Sequence, residues 1–438
     1  MNKPTDEKGR RRVVLVALDW CRPGGPTLPL GHANLLAALR QNPEVDALGH
    51  VLAVNQPDFC PIDAVESIAQ ACGGRLADVD DICLGTFVWA EPHVRGVMQS
   101  LRRAGFRGRF VLGGPQITYA TKETVTLYPE ATVFIRGYAE QTLPAVAATG
   151  EPQTPAGVQF ANSCVTEPGL SVVDLGSLPS PYLTGILGVQ PRAVRVHWET
   201  SRGCPYACAY CQHREADEAR LVRAFGSDRL TAEARLFASQ AAQEVMLVDP
   251  VFNWGDHGSR VLDLLVGACL RGKVSMQCRF ELVTEDFLDA CGRLNAFPEF
   301  GLQTIHEVEC RAVNRRNNMD QVEQVILELH QRKMRFKVDL MYGLPEQTLQ
   351  SFRESVDFCL SRRIPVVRAF PLEVLRGTAL ERQATRWGLR WDEDAIPKVI
   401  ESNTFDCRDW AEMNRIAGAL RRTEGHHPPS LESLMSRS

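Results

Sequence analysis

The stretch Arg195-Val196-His197-Trp198-Glu199-Thr200-Ser201-Arg202-Gly203-Cys204-Pro205-Tyr206-Ala207-Cys208-Ala209-Tyr210-Cys211-Gln212-His213 opens as a strand-like run and turns into a loop carrying three of the chain's 14 cysteines. The spacing Cys-x3-Cys-x2-Cys gathers three thiols in one loop. That is enough to hold three irons of a [4Fe-4S] cluster and leave the fourth iron without a protein ligand. An open metal position separates a reactive site from a structural one. Two other readings compete: a zinc site completed by His213, and cysteines that hold nothing. Zinc usually draws its ligands from two separated pairs, so the cluster is the expectation.

Working outward, 195–199 is the first of six strand-like segments, followed by 244–248, 274–281, 299–304, 337–342 and 366–373, with helical patterns between successive pairs. That is most of a (β/α) barrel, and the cysteine loop falls at the carboxyl end of its first strand, the face where such barrels keep their chemistry. Upstream, short apolar runs at 13–18, 50–54, 81–86, 109–113 and 132–137 alternate with helical patterns at 31–39, 64–72 and 92–104. Such alternation predicts right-handed βαβ units and an open parallel sheet that binds ligands at the carboxyl ends of its strands. Between 151 and 190 the periodicity gives way to Pro, Gly and Ser. The chain therefore reads as α/β: a Rossmann-like open parallel sheet over 1–150, a linker over 151–190, a partial (β/α)6 TIM barrel over 191–385, and a helical C-terminal extension over 386–438. Its tail from Glu424 reads as polar and frayed.

At 438 residues the chain is long enough for two or three domains at about 150 residues each. Its 49 basic and 53 acidic side chains leave a formal charge of −4, which announces neither a nucleic-acid partner nor a membrane surface. The longest aliphatic runs are far short of the roughly 20 residues that span a bilayer. The basic stretch at 8–12 runs into an apolar segment too short for a signal sequence, so the expected compartment is the cytoplasm. The cysteines outside the triplet are scattered singly rather than spaced as a disulfide framework.

These residues resemble the radical S-adenosylmethionine (SAM) superfamily, whose signature is Cys-x3-Cys-x2-Cys with an aromatic residue, here Tyr210, before the last cysteine. Thr200-Ser201-Arg202-Gly203-Cys204-Pro205-Tyr206 is similar to the branch that carries an N-terminal cobalamin-binding domain. The resemblance implies that Cys204, Cys208 and Cys211 hold the cluster, that SAM chelates the open iron, and that one electron from the reduced cluster cleaves a carbon–sulfur bond. It implies further cofactor contacts by position. Asp249 to Asn253 resembles the segment whose backbone packs on the methionyl group. Glu281 with Arg315 or Arg316 would grip the methionyl ammonium and carboxylate, as a cation–carboxylate fork suits. Gln303 would lie near the ribose. Gly343-Leu344-Pro345-Glu346 looks like a turn beside adenine, with Glu346 replacing the usual glycine. Each of these alone has an ordinary reading as a turn or a satisfied core polar residue; their order and spacing together favour the site. The resemblance also implies a small-molecule substrate and an electron donor such as flavodoxin or ferredoxin.

The first domain resembles the cobalamin-binding fold through Pro29-Leu30-Gly31, Gly113-Gly114-Pro115 and Arg136-Gly137-Tyr138-Ala139-Glu140. Its ligand stays open. Where many such domains carry Asp-x-His-x-x-Gly, this chain reads Asp19-Trp20-Cys21-Arg22-Pro23-Gly24, with cysteine in place of the cobalt-ligating histidine. No Gly-x-Gly-x-x-Gly supports a dinucleotide there. Trp20, Cys21, Phe87 and Trp89 are candidates to line a cobalamin or substrate cleft, and Cys278 and Cys310 to meet a thiophilic substrate. Ordinary packing explains each equally. Phe405, Cys407 and Trp410 stand in a segment expected either to cap the barrel mouth or to form an amphipathic packing helix. Three reactions remain, in this order: cobalamin-assisted methylation in a biosynthetic pathway, a 5′-deoxyadenosyl-radical rearrangement or oxidation, and transfer of a 3-amino-3-carboxypropyl group to an acceptor such as trivalent arsenic. A non-enzymatic metal-binding protein is the reading outside enzymology.

Overall fold

Six consecutive apolar residues, 13–18, make β1 (Arg11–Asp19) an interior strand of the first sheet, covered on both faces as parallel strands are. The computed structural model describes residues 9–26, 28–120, 124–149, 155–162, 169–213 and 222–436. They fall into two compact units, the first Met1–Gly188 and the second Val189–Glu215 with Ala219–Ser438. After β1 the first unit runs α1 (Leu30–Gln41), β2 (Val45–Ala53), α2 (Pro61–Ala71), β3 (Asp81–Gly85), α3 (Glu91–Arg103), β4 (Arg109–Gly113), α4 (Pro115–Thr118), α5 (Thr124–Leu127), β5 (Val133–Ile135), α6 (Thr142–Ala148) and β6 (Val158–Phe160). The sheet order is β2-β1-β3-β4-β5-β6, parallel except for β6. The order reverses between β1 and β3, so the switch point lies above the loops that follow those two strands. Alternate residues feed two cores. Val14, Val16, Ile82, Leu84 and Phe110 pack on one face, and Val13, Leu15, Cys83, Val111 and Val133 on the other. The stretch expected to be a linker supplies β6 to this sheet, and Ser171 bonds the backbone of Arg136 and Tyr138.

The second unit opens with β7 (Val196–Trp198) and continues through β8 (Ser201–Arg202), β9 (Arg223–Ala224), α7 (Ser227–Ser239), β10 (Glu244–Leu247), α8 (His257–Gly267), β11 (Lys273–Cys278), α9 (Glu285–Gly292), β12 (Asn295–Gln303), α10 (Glu307–Ala312), α11 (Met319–Gln331), β13 (Lys337–Tyr342), α12 (Leu349–Ser361) and β14 (Val366–Pro371). Six strands lie in the order β14-β13-β12-β11-β10-β7, all parallel, with a helix in every crossover. This is the partial (β/α)6 barrel. Strand parity sends Val245, Met276, Phe300, Leu340 and Val367 under the helices, all nearly inaccessible. Their neighbours Glu244, Gln277, Glu299, Asp339 and Arg368 take the opposite face.

The C-terminal region consists of α13 (Ala379–Arg382), β15 (Arg390–Trp391) paired antiparallel with β16 (Val399–Glu401), α14 (Cys407–Arg422) and α15 (Leu431–Ser436). Helix α14 packs on β13, β14 and α12, so it belongs to the helical layer. Phe405 is buried and the Trp410 ring lies 5.9 Å from that of Tyr342. The packing-helix alternative is therefore the one found. The tail is not frayed: Leu431 and Leu434 are buried, Leu431 donates its N–H to Asp357, and His427 accepts from Val367 N–H at 2.9 Å. Two leucines are too short a pattern to register as periodicity. Among the described residues no helix is long and apolar enough to cross a membrane.

Candidate cofactor site

The cysteine loop is anchored before its first cysteine. At the end of β10 the fully buried Asp249 carboxylate accepts hydrogen bonds from Thr200 N–H (2.7 Å), Thr200 Oγ1 (2.5 Å) and Ser201 Oγ (2.7 Å). His257 Nε2 lies 2.8 Å from the same Thr200 hydroxyl. Charge-assisted bonds of this kind are the strong ones, so the exit from β7 is fixed to β10. Arg202 pairs with both Glu199 oxygens, and Gly203 then turns at φ +95°, a region that favours glycine. Beyond Cys204 the loop is held from outside. Ala209 N–H donates to Val313 at 2.8 Å, Asn314 Nδ2 to Ala207 carbonyl at 2.8 Å, Leu380 N–H to Ala209 carbonyl at 2.8 Å, and Gln212 Nε2 to Arg376 carbonyl at 2.8 Å.

All three loop cysteines are half-buried and in no disulfide among the described residues. Burial pushes the Cys204 thiol up, while the Tyr206 backbone N–H and the charges of Arg279 and Arg315 pull it down. His213, the fourth ligand of the zinc alternative, is exposed, and its backbone N–H donates to Cys211 Sγ at 3.3 Å. Such N–H to sulfur bonds tune iron–sulfur centres. The Tyr210 phenol is pushed well up by burial and stays protonated; it shares its electrostatic surroundings with Arg315, Cys208, Cys211 and Arg279.

Arg279, which the sequence reading passed over, joins the loop to the next strands. It is buried at the end of β11, its guanidinium 4.0 Å above the Tyr206 ring. Its Nε lies 3.1 Å from Glu281 Oε2 and its Nη2 donates to the Arg316 carbonyl at 2.8 Å. The Asn253 amide brackets the Arg279 backbone with bonds of 2.8 and 3.0 Å. The side chains of Asp249 and Asn253 are thus engaged within the protein, which leaves that segment only its backbone for a ligand. Of the two arginines left open, Arg315 is buried beside the cysteines, donating to Gly301 carbonyl and to Asn317 Oδ1, whereas the Arg316 side chain is exposed. Arg279 was findable: strand parity and its position directly before Phe280-Glu281 put it on the catalytic face of the barrel.

Gln303 takes φ +71° where the β12–β13 register shifts. A side chain held in that conformation at a strand end marks a locally re-aimed backbone. Gly343 turns at φ +88° and its N–H donates to Gln347 Oε1, while Gln347 also bonds buried Glu309. Cys310 lies near Arg315, Glu281 and Arg279, and burial pushes its thiol up to about 11. Cys278 does not join them. Parity turns it under the helices with Val274 and Met276, and it is buried as a small apolar residue.

In the first unit Trp20, Cys21 and Trp89 follow β1 and β3, at its switch point. Trp20 is exposed and Phe87 stacks on Trp89 at 4.8 Å. Cys21 Sγ lies 3.7 Å from Asp19, and its backbone is bracketed by the Asn55 amide. Burial and the Asp19 charge push this thiol up. Just beyond β3, the Thr86 hydroxyl is buried with no partner among the described residues. Gly114, at φ +96°, passes so close to Thr86 that a Cβ there would meet the Thr86 carbonyl oxygen at 2.9 Å.

Residues 198–359 match the family model described as the Radical SAM superfamily, and this part of the chain is a radical SAM domain. Two curated proteins are similar to it. One is the 2-(S-pantetheinyl)-carbapenam-3-carboxylate methyltransferase of Streptantibioticus cattleyicolor, 26% identical over 268 residues that cover 58% of this chain and 37% of that protein. The other is the cobalamin-dependent radical SAM methyltransferase TokK of Streptomyces tokunonensis, 23% identical over 447 residues that cover 92% of this chain and 63% of that protein. The chain thus spans between about a third and two thirds of the length of these relatives. Among solved structures, the radical SAM methyltransferase TsrM of Kitasatospora setae with cobalamin and [4Fe-4S] cluster bound superposes with a TM-score of 0.70 at 17% identity, covering 89% of this chain and 82% of that one. The cobalamin-dependent radical enzyme OxsB gives 0.70 at 12% identity, covering 94% and 67%. The fold is the one those enzymes share.

Proposed function

We propose that the chain is a radical SAM methyltransferase in which Cys204, Cys208 and Cys211 hold a [4Fe-4S] cluster and the first unit holds cobalamin. The observation that carries this is the cysteine loop itself: three half-buried thiols on one loop, braced by Asp249 and flanked by the buried cations Arg279 and Arg315. Two fixed cations suit a site that gathers thiolates and a carboxylate-bearing cofactor. When bound, the cluster supplies the electron that breaks a carbon–sulfur bond of SAM, and cobalamin supplies a methyl carrier. The protein's residues orient. Arg315 is the arginine for the methionyl carboxylate, Glu281 serves the ammonium while holding Arg279 in place, and the backbone of Asp249 to Asn253 packs beside them. Gln303 and the Gly343 turn are the candidates for ribose and adenine.

For cobalamin, the fit rests on the orphaned Thr86 hydroxyl and the bare Gly113-Gly114 backbone beside it. Cys21 in the histidine's place offers no imidazole to cobalt. The similarity to two curated methyltransferases supports methyl transfer to a small molecule in biosynthesis. An oxygen-labile cluster and 13 described cysteines outside any disulfide suit the reducing cytoplasm and a flavodoxin or ferredoxin as reductant. The test is anaerobic reconstitution with iron and sulfide, reduction, and mass spectrometry of the SAM products with and without cobalamin. Cobalamin-dependent S-adenosylhomocysteine with 5′-deoxyadenosine is expected. Methylthioadenosine would overturn methyl transfer in favour of aminocarboxypropyl transfer, and a colourless zinc protein would overturn the whole reading.

A further inference from the structure

The inner face of the second unit's sheet, the one turned away from the helices, carries an unbalanced charge. Lys337 Nζ lies 2.5 Å from Glu299 Oε2 and 3.3 Å from Asp339 Oδ2, so two carboxylates share one ammonium. Asp339 Oδ1 is buried with no partner among the described residues. Beside it in register, Gly301 offers no side chain, and its carbonyl is the one that accepts from Arg315. One step toward the carboxyl end on the same face come Met341 and Phe370, and Phe370 is 43% exposed. The middle of this face is therefore not filled by its own side chains, and the Asp339 side chain stays 19% exposed.

The cation that could complete Asp339 is present and turned elsewhere. Arg368 is its register neighbour on β14, yet the Arg368 Nε and Nη2 make bonds of 3.0, 2.9 and 2.8 Å to the Glu424 carboxylate. Glu424 follows α14, in the tail held through His427 to Val367 N–H and through Leu431 to Asp357. Burial pushes the Asp339 carboxyl up to about 6 even with Lys337 and Arg368 nearby. A carboxylate short of one cation, on a face that also exposes an aromatic ring, suits a protonated amine. A purely structural layer would join Arg368 to Asp339 and leave no oxygen unmet.

We propose that Asp339 receives a protonated amine of the substrate inside the second unit, and that Glu424 keeps it available by holding Arg368. This names a substrate class for the radical SAM methyltransferase proposed above and rests on that reading. Asp339 is a binding residue here and Glu424 a positioning residue; neither makes or breaks a covalent bond.

The experiment titrates the full reconstituted chain, with SAM bound, by isothermal calorimetry against benzylammonium, the neutral benzyl alcohol and the anion benzoate. The wild type is expected to bind benzylammonium about tenfold more tightly than the other two, the worth of one hydrogen bond between charged partners. Asp339→Asn removes that preference and leaves benzyl alcohol binding as it was. Glu424→Gln frees Arg368 to pair with Asp339 and weakens benzylammonium binding about tenfold. The double variant Glu424→Gln/Arg368→Met restores it, which a merely structural role for Glu424 would not give. Glu412→Gln, which removes another carboxylate from α14, changes nothing. No preference in the wild type, a preference that survives Asp339→Asn, no recovery in the double variant, or an equal loss in Glu412→Gln would each overturn the assignment. These outcomes are read in protein that cleaves SAM with dithionite. A wild-type chain that takes up no cluster, or cleaves no SAM, overturns the proposed function instead, and this inference with it.

Discussion

At the carboxyl end of the second unit's sheet, Asp249, Arg202, Arg279 and Arg315 all have partners inside the protein, and the cysteine loop is strapped down before and after Cys208. At the carboxyl end of the first unit's sheet, the Thr86 hydroxyl is buried with no partner among the described residues, and Trp20 and Phe87 are 41% and 37% exposed. The difference teaches how the two ends prepare for ligands. A loop that must hold thiols at fixed positions is wired in advance by charged hydrogen bonds, because misplacement is costly in chemistry. On the proposed function, an end that takes a large ligand can leave a polar atom for it, at a cost of about 1–3 kcal/mol while that atom is unmet.

The largest effect tests the wired end. Cys208→Ala should abolish both iron retention and SAM cleavage, read from iron per chain and product mass spectrometry; full retention of either would break the comparison at its root. Next, Asp249→Ala removes the common acceptor of Thr200 and Ser201 and should destabilise the second unit by about 3–5 kcal/mol, measured by urea unfolding. Asp249→Asn, which keeps one carbonyl acceptor, should lose less.

The first unit has a second such group in His32, whose Nε2 is buried under Gly49 and near His50 without a partner among the described residues. Burial pushes this imidazole from its ordinary 6.5 down to about 4. The folded state therefore binds fewer protons than the unfolded chain between those values. The resulting stability is present above pH 6.5 and is lost as pH falls toward 4. His32→Leu should remove a slope on the order of 2–3 kcal/mol over that window in pH-dependent unfolding. Arg315→Met should weaken SAM binding to the reconstituted protein about thirtyfold, or about 2 kcal/mol, by equilibrium dialysis. The smallest effect sharpens the contrast most. Thr86→Val should stabilise the ligand-free first unit by about 1 kcal/mol while weakening cobalamin binding. Destabilisation on urea unfolding would mean that the hydroxyl is already satisfied.

Much of this was legible in the sequence. All six barrel strands and the position of the cysteine loop follow from apolar runs whose period matches a buried parallel sheet, and the Cys-x3-Cys-x2-Cys spacing is local. The inward position of Arg279 follows from strand parity at the end of β11, but its contact with Tyr206 does not, because the two lie in different βα units and no pattern in the sequence joins them. Strand β6 escaped because three residues in a Pro- and Gly-rich stretch carry too little periodicity.

By itself, then, the sequence determined what short-range pattern determines: the order of the elements, the parallel sheets, the three thiols on one loop and a cysteine where a histidine often stands. Only the tertiary structure buried Arg315 and left Arg316 exposed, turned Cys278 into core, engaged the side chains of Asp249 and Asn253, docked the tail at Leu431 and Leu434, and left the Thr86 hydroxyl buried without a partner among the described residues. Each of these depends on which way a side chain faces and on what a distant segment brings to it. Strand parity and packing fix both only when the whole unit has closed.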